Sequence, residues 1–270
     1  MIEHTESAIL EVPPSFTTRV EATKAAADNG YRLIREINEG WQQFASTTAP
    51  GNIFIAHTMT EPRWWLLSLQ HQGVAREFGP SVWSGPATAT FAFPTLTALH
   101  EAIGRTYRLS VSLPQLPLEA FREQTSALPR QTEAERVVIM RVGQNIFRDA
   151  LMEYWNGTCP LTGITDPTLL RASHIVPWAE CENDSLRLDV YNGLLLSSLW
   201  DAAFDSGLIS FTEHGVPLVS SALSVCAAAA LKLSEGPILR GLATPHEQNL
   251  SRHRAKYLPP GNQVLQTRRL

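Results

Sequence analysis

The 270-residue sequence has only three cysteines, no long hydrophobic run and no excess of basic residues. Cys159, Cys181 and Cys226 form no CxxC pair, so the sequence indicates neither a disulfide framework nor a structural zinc knuckle. No apolar run approaches the length that spans a membrane, and residues 1–14 lack the basic and then apolar order of a signal peptide. We therefore expect a cytoplasmic protein that makes no contact with a membrane.

The sequence also has little charge. Charged residues make up 18% of the chain and hydrophobic residues 44%, which is typical of a folded globular protein with a sizeable core. The formal net charge of -4 does not by itself indicate a nucleic-acid-binding protein. If DNA is a ligand, its phosphates must meet local positive charge, a metal ion or a partner.

The first half of the sequence predicts an N-terminal domain over residues 1–130 that is mixed α/β and rich in strands. Prolines are dense between Leu113 and Arg130, and we place the domain boundary there. Trp64, Trp65 and Trp83 could stack on bases, but we favour packing in a core or interface. The predicted elements are a helix over Val20–Asp28, strands over Trp41–Ala45, Asn52–Thr58, Trp64–Leu69, Val74–Phe78 and Thr88–Phe93, and a helix over Leu96–Tyr107.

After the boundary, the apolar spacing predicts a helix over Thr132–Trp155 that begins with a capping box formed by Thr132 and Glu135. Arg141, Gln144 and Arg148 lie on one stripe of this helix. Such a stripe is suited to gripping phosphates. A solvated, salt-bridged helix face is an equally good interpretation.

A second group of basic residues lies in the tail, Thr244–Leu270, which contains a single acidic residue, Glu247. This tail is the best basic patch in the sequence and a candidate contact for the DNA backbone, although a plain solvated tail would have the same composition. Its basic residues are Arg252, His253, Arg254, Lys256, Arg268 and Arg269.

Between these segments lies a stretch whose residue order implies a chemistry. We predict a hairpin of strands Thr158–Leu161 and Leu169–Val176, with His174 on stiff backbone just before Pro177. A helix of about three turns is predicted over Leu194–Phe204. Asp201 and Asp205 are four residues apart, so they point from one face of that helix, where two carboxylates repel unless a cation neutralises them. Beyond it we expect a hairpin over Leu208–Val219 and a buried helix over Ser224–Leu233.

This order of strand, histidine, loop, asparagine, helix and acidic pair resembles the HNH nuclease family. The resemblance extends over Asn145–Phe211. It implies the ββα-metal fold, in which a hairpin packs against one helix with a divalent ion between them. The runs that carry it are Ala172-Ser173-His174-Ile175, Val176-Pro177-Trp178, Asn192-Gly193-Leu194-Leu195-Leu196 and Phe204-Asp205-Ser206-Gly207-Leu208-Ile209.

The resemblance also implies a role for each residue of the motif. His174 would be the general base that takes a proton from water, and Asn192 would hold the loop in register. Asp201 stands where many relatives carry the last histidine, a metal ligand, and Asp205 lies one turn further. Ser173 stands where many relatives have an Asp or His ligand. Because all these ligands are oxygens, we expect Mg²⁺ or Mn²⁺ rather than Zn²⁺.

We therefore expect an α+β protein with a ββα-metal HNH nuclease domain over residues 131–270, its motif core lying at 158–211. Its expected function is metal-dependent cleavage of double-stranded DNA, of the restriction or phage-defence type. A homodimer or a defence-system partner protein could contribute to cutting both strands. Ser173 and the missing last histidine keep open a binding module that has lost catalysis. A nuclease that stays silent until a partner or a modified base engages the N-terminal domain is a third interpretation.

Overall fold

The computed structural model describes residues 9–129, 131–258 and 263–264, so Arg268 and Arg269 lie outside the described residues. The chain forms two compact units, Met1–Val111 and Ser112–Leu270. Both units contain helices and antiparallel sheets, as the sequence predicts. Within the described residues, no helix combines the length and the apolar character that crossing a membrane requires.

The first unit is built on a five-stranded antiparallel sheet whose strands lie side by side in chain order. All five residues of its fourth strand are buried, and helices pack against the sheet. The elements are α1 (Phe16–Asp28), β1 (Leu33–Asn38), β2 (Trp41–Ala45), β3 (Ile53–His57), β4 (Trp65–Leu69), α2 (Gln72–Phe78), β5 (Ala89–Phe93) and α3 (Leu96–Ser112).

The sequence misses β1, all of whose residues are exposed and show no alternation of burial. The strand predicted over Val74–Phe78 is wrong, because this segment belongs to α2. Nδ1 of His71 accepts a hydrogen bond from Val74 N at 3.2 Å and caps the helix, whose C-cap is Gly79 at φ 95°. Trp65 is buried, and the ring of Trp64 packs 6.4 Å from that of Trp83.

The second unit consists of helices around a two-stranded and a three-stranded antiparallel sheet. Short 3₁₀ turns cover Trp178–Glu180, Val190–Asn192 and Leu233–Glu235. The longer elements are α4 (Gln115–Thr125), α5 (Glu133–Tyr154), β6 (Leu170–His174), α6 (Asp184–Arg187), β7 (Gly193–Ser197), α7 (Ser198–Asp205), β8 (Ile209–Phe211), β9 (Pro217–Ser220), α8 (Val225–Ala230), α9 (Thr244–Tyr257) and β10 (Gln263–Val264).

The helix predicted from its capping box is α5, in which the side chains of Thr132 and Glu135 cap each other's backbone as expected. The proline-rich stretch contains α4. Pro114 is its N-cap and Pro117 lies in its first turn, where the missing N–H of a proline removes no helical hydrogen bond.

The hairpin at the centre of this unit differs from the predicted one. Thr158–Leu161 is not a strand but part of a tight turn, in which Gly163 N donates to Cys159 O at 2.9 Å. The hairpin instead pairs β6 with β7, with Ser173 opposite Leu194 and His174 opposite Gly193. The predicted helix over Leu194–Phe204 is therefore wrong in its first half. An apolar run does not distinguish a buried strand from a buried helix, and every residue of β7 is buried.

Two glycines allow α5 to pack closely against the hairpin and against the loop that follows β6. A Cβ on Gly193 would lie 2.5 Å from the ring of Phe147 and 2.8 Å from Leu151. A Cβ on Gly143 would lie 2.3 Å from the ring of Trp178. Because these contacts leave no room for a side chain, Gly193 is needed for close approach rather than for a turn.

After α7 the chain forms a second hairpin and two more helices. β8 and β9 pair as the hairpin that the sequence predicts. α8 lies within the predicted helix over Ser224–Leu233. The expectation that this helix is buried is wrong for α8, none of whose residues is buried, although Leu231 and Leu233 just after it are buried. The basic tail is a packed helix as far as Tyr257: α9 buries His246, Asn249, Leu250 and His253.

The two buried histidines of α9 predict a pH dependence of stability. Burial lowers the pKa of both His246 and His253 from 6.5 to about 4. As the pH falls below 6.5, the unfolded chain takes up protons that the folded chain excludes. Each histidine therefore costs up to ~3 kcal/mol of the free energy of unfolding once the pH reaches about 4. Asp189, whose pKa burial raises to about 6, acts in the opposite direction.

The contribution of His253 is measured by comparing His253→Phe with the wild-type protein in urea unfolding between pH 4 and 7, since the effect of Asp189 cancels in the comparison. The variant loses hydrogen bonds to Ser210 and Phe204 and starts less stable at pH 7, but its free energy of unfolding falls less steeply with acid. His214→Gln, at an exposed position, is the matched control and follows the wild-type curve. Parallel curves for wild type and His253→Phe would contradict the assignment.

Candidate active site

His174 ends β6 with its ring held between α5 and the following loop. The ring stacks on Phe147 with centroids 3.8 Å apart and planes 19° apart, and Trp178 meets it edge-on at 5.6 Å. Nε2 lies 2.9 Å from the carbonyl oxygen of Arg187. Because a carbonyl oxygen only accepts hydrogen bonds, Nε2 carries the proton of the neutral ring and Nδ1 holds the basic lone pair.

The surroundings of His174 keep the ring neutral and ready to accept a proton. Burial lowers its pKa, while the Arg187 carbonyl and the charge of Asp205 act in the opposite direction. A neutral imidazole is the form that works as a general base. The structure thus places a candidate base at His174, with its orientation set by one hydrogen bond and two aromatic rings.

The carbonyl that orients His174 is itself fixed by the side chain of Arg187. The guanidinium donates to Trp178 O at 3.3 Å, to Asp184 Oδ1 at 2.8 Å and to Cys181 O at 2.8 Å. These bonds tie the last residue of α6 to the loop that precedes it. Sequence reasoning misses Arg187, because nothing in a polar loop distinguishes an arginine that holds the backbone from one in solvent.

Asn192 is completely buried, and both polar atoms of its side-chain amide form hydrogen bonds to the same loop. Its Oδ1 accepts from Val176 N at 2.8 Å, and its Nδ2 lies 3.1 Å from both Val176 O and Leu186 O. Nδ2 also lies 3.4 Å from Cys181 Sγ, a buried thiol. This arrangement holds the backbone after His174 in register with β7. The amide has no exposure through which it could touch a substrate, so its part in the site is to position the loop.

Ser173 and Asp201 face each other across the space between β6 and α7. The Ser173 hydroxyl is buried and makes no hydrogen bond to a described residue, although it lies near enough to the Asp201 carboxylate to lower its pKa. Burial is the larger effect and raises the pKa of Asp201; Asp205 raises it further and Arg171 lowers it. Asp201 lies in the first turn of α7 and Asp205 is its last residue.

This donor set fits a hard divalent cation. A buried hydroxyl without a partner beside two carboxylates on one helix offers only oxygen atoms, which suit Mg²⁺ or Mn²⁺. Among the described residues, no three His, Cys, Asp or Glu side chains are grouped as metal ligands. Ser173, Asp201 and Asp205 would therefore need water and substrate oxygens to complete the coordination of an ion.

The structure separates the predicted DNA-contact residues of α5 into two kinds. Arg141 and Gln144 are exposed. The guanidinium of Arg148 instead donates to Pro167 O at 2.7 Å and to Leu170 O at 2.9 Å, which fixes the start of β6 against α5. Arg141 and Gln144 of the predicted stripe are therefore exposed to solvent, whereas Arg148 stabilises the packing of β6 on α5.

The basic residues of α9 divide in the same way. Arg252 is exposed. Arg254 pairs with Glu247 and donates to Phe211 O at 2.7 Å, so it fastens α9 to β8. Lys256 pairs with Glu180 and its ammonium lies 4.8 Å from the ring centroid of Tyr257. Among the described residues of this basic patch, Arg254 and Lys256 thus pair with carboxylates, whereas Arg252 is exposed.

Comparison with known protein families gives a match for the segment that contains the candidate active-site residues. A family model described as HNH endonuclease matches residues 159–212, which include β6, β7, α7, β8 and all five residues of the predicted motif. A search of curated proteins found no match to the chain. The match and the β6–β7 hairpin packed on α7 agree, and the chain contains an HNH endonuclease domain at residues 159–212.

Proposed function

We propose that the protein is a metal-dependent endonuclease that hydrolyses phosphodiester bonds of double-stranded DNA. The HNH domain indicates nuclease activity in general, and HNH nucleases usually use a divalent metal ion. The observation that supports the sharper proposal is the tautomer of His174: Nε2 is committed to the Arg187 carbonyl, which leaves Nδ1 to act as a base.

In the proposed reaction, Nδ1 of His174 takes a proton from a water molecule as the water oxygen bonds to phosphorus. The imidazolium that forms keeps its Nε2 hydrogen bond to the Arg187 carbonyl, and the Asp205 charge stabilises it. The bond from phosphorus to the 3′-oxygen breaks, the leaving oxygen takes a proton from solvent water, and the products carry 5′-phosphate and 3′-hydroxyl ends. A bound divalent ion would stabilise negative charge on the phosphoryl and leaving oxygens. Ser173, Asp201 and Asp205 would hold it.

His174→Ala tests the assigned base. We expect wild-type protein with Mg²⁺ or Mn²⁺ to cleave supercoiled plasmid, and the variant to lose activity by about 10²–10⁴-fold, the usual contribution of a general base. Because burial lowers the pKa of His174, the acid limb of the wild-type kcat/KM profile should lie below pH 6.5. Cleavage by His174→Ala at the wild-type rate would remove His174 from this role.

Metal titration separates the enzyme from its main rival, an HNH-fold module that binds DNA or protein without cutting. The rival is favoured by Ser173 and by the absence of three grouped His, Cys, Asp or Glu ligands among the described residues. We expect Mn²⁺ binding heat in calorimetry that is lost in Asp201→Asn and weakens as the pH falls, because the pKa of Asp201 is raised and protons compete with the ion.

The matched control for this titration is Asp166→Asn, at an exposed position outside the site. It should bind Mn²⁺ as the wild type does. Wild-type protein that gives the same heat as Asp201→Asn would support the binding module. Metal binding without cleavage of plain plasmid would instead indicate a nuclease that a partner or a modified base must activate.

We infer a restriction or phage-defence role in the cytoplasm, with residues 1–130 recognising DNA or a partner and with a homodimer or a defence-system protein as candidate partner. This part of the proposal rests on the resemblance, since family members of this layout are often defence nucleases. Cells that express wild-type protein should plate phage or foreign DNA less efficiently than cells that express His174→Ala. Equal plating for every phage and plasmid tried would contradict the role.

A further inference from the structure

Arg171 lies on β6 two residues before Ser173, so the two side chains leave the same face of the strand. Ser173 is buried on this face and lies near Asp201, whereas Arg171 is exposed. α7 packs against this strand. Arg171 therefore stands at the open end of the row of groups that includes the candidate metal ligands.

Charges alternate across the space between β6 and α7. Arg171 acts on Asp201 and lowers its pKa, and Asp205 acts on His174 and raises its pKa, although neither influence is the largest on its group. Arg171 and Ser173 thus leave one face of β6 towards Asp201, and His174, the next residue, stands at the end of the strand, where the charge of Asp205 acts on it. A phosphate brought to this site meets two negative side chains, and a divalent ion only cancels their charge.

The guanidinium of Arg171 is held in place by hydrogen bonds from one of its nitrogens. One terminal nitrogen donates to Thr168 O at 2.9 Å and to Leu170 O at 3.0 Å. Within the part of the chain that the structure describes, its other nitrogens have no hydrogen bond and no carboxylate forms a close ion pair with it. Nε and the second terminal nitrogen form the pair of parallel N–H groups that binds two oxygens of one phosphate.

We propose that Arg171 binds the non-bridging oxygens of the scissile phosphate and stabilises the charge that grows there during hydrolysis. This inference rests on the proposed function and adds a catalytic residue to it. Two backbone carbonyls fix the arginine before substrate arrives, so little reorganisation accompanies the reaction. The arginine supplies positive charge to the site of a chain whose formal net charge is -4.

The test compares Arg171→Gln and Arg171→Lys with the wild type in single-turnover cleavage of a duplex oligonucleotide in Mn²⁺. We expect kcat/KM to fall by about 10²–10³-fold for Arg171→Gln, the usual effect of removing one donor to a developing oxyanion. Arg171→Lys keeps the positive charge without the two parallel donors, so its kcat/KM should lie between those of the wild type and Arg171→Gln. Arg240→Gln, an exposed arginine of the same unit, is the matched control and should cleave as the wild type does.

A binding measurement in the inactive His174→Ala background gives an independent readout. Fluorescence anisotropy of labelled duplex at several salt concentrations should show that Arg171→Gln reduces the slope of log K against log salt by about 1, as expected for one lost phosphate contact. A duplex whose scissile phosphate is a neutral methylphosphonate should bind less tightly to His174→Ala. Arg171→Gln should cause no further loss with that duplex, because the contact is already gone.

Arg171→Gln that cleaves at the wild-type rate and keeps the salt slope would overturn the inference. So would an equal loss in the Gln and Lys variants together with a lower melting temperature, since that pattern indicates a purely structural role through Thr168 and Leu170. If the wild type does not cleave under any condition, the proposed function fails, while the salt slope and the methylphosphonate comparison still decide whether Arg171 contacts phosphate.

Discussion

The candidate site depends on the hydrogen bond between Nε2 of His174 and the carbonyl oxygen of Arg187. This bond decides which ring nitrogen is basic, and it holds the ring against Phe147 and Trp178. The carbonyl can do this because the loop behind it is tied down twice, by the guanidinium of Arg187 and by the buried amide of Asn192. Without those ties, His174 would be a histidine at a strand end with no preferred tautomer.

The same hairpin sets the second half of the site. β6 and β7 are short, so their register is fixed by what packs on them rather than by their length. Gly193 lets α5 approach β7 closely. α7 follows β7 directly, and on it Asp201 lies near the Ser173 hydroxyl while the charge of Asp205 acts on His174. Burial raises the pKa of Asp201, and a cation would relieve that cost. The absence of a histidine or acid at position 173 leaves a smaller ligand set in which oxygen donors predominate.

Sequence reasoning identifies the parts of this site that depend on local order. The place of His174 before Pro177 and the spacing of Asp201 and Asp205 follow from neighbouring residues, whereas Asn192 is singled out by the resemblance. The structure places His174 at the end of β6, Asn192 in a 3₁₀ turn before β7 and both carboxylates on α7. Sequence reasoning fails for β7, because an apolar run fits a buried strand as well as a buried helix. It also fails for α2, where a histidine side chain serves as the cap.

Arginine roles are the hardest to predict, because they depend on which backbone carbonyls the fold brings within reach. Arg148 and Arg254 read as free basic residues in the sequence but are bound to carbonyls in the fold. Arg187 ends α6, and its carbonyl oxygen orients the base, while Arg171 acts on the charge of Asp201. Arg148 and Arg171 donate to carbonyl oxygens at the start of β6, and the carbonyl oxygen of Arg187 orients the histidine at its end.

The central claim is that the imidazole of His174 and a cation held by Asp201 converge on one phosphate. A crystal soaked in Mn²⁺ tests this claim most directly, because the anomalous signal of manganese locates the ion without assumptions about its ligands. The account predicts an anomalous peak against the Asp201 carboxylate, with Nδ1 of His174 facing the same cleft and reachable through one water molecule. A peak elsewhere, or an imidazole whose Nδ1 points away from an ion at Asp201, would contradict it.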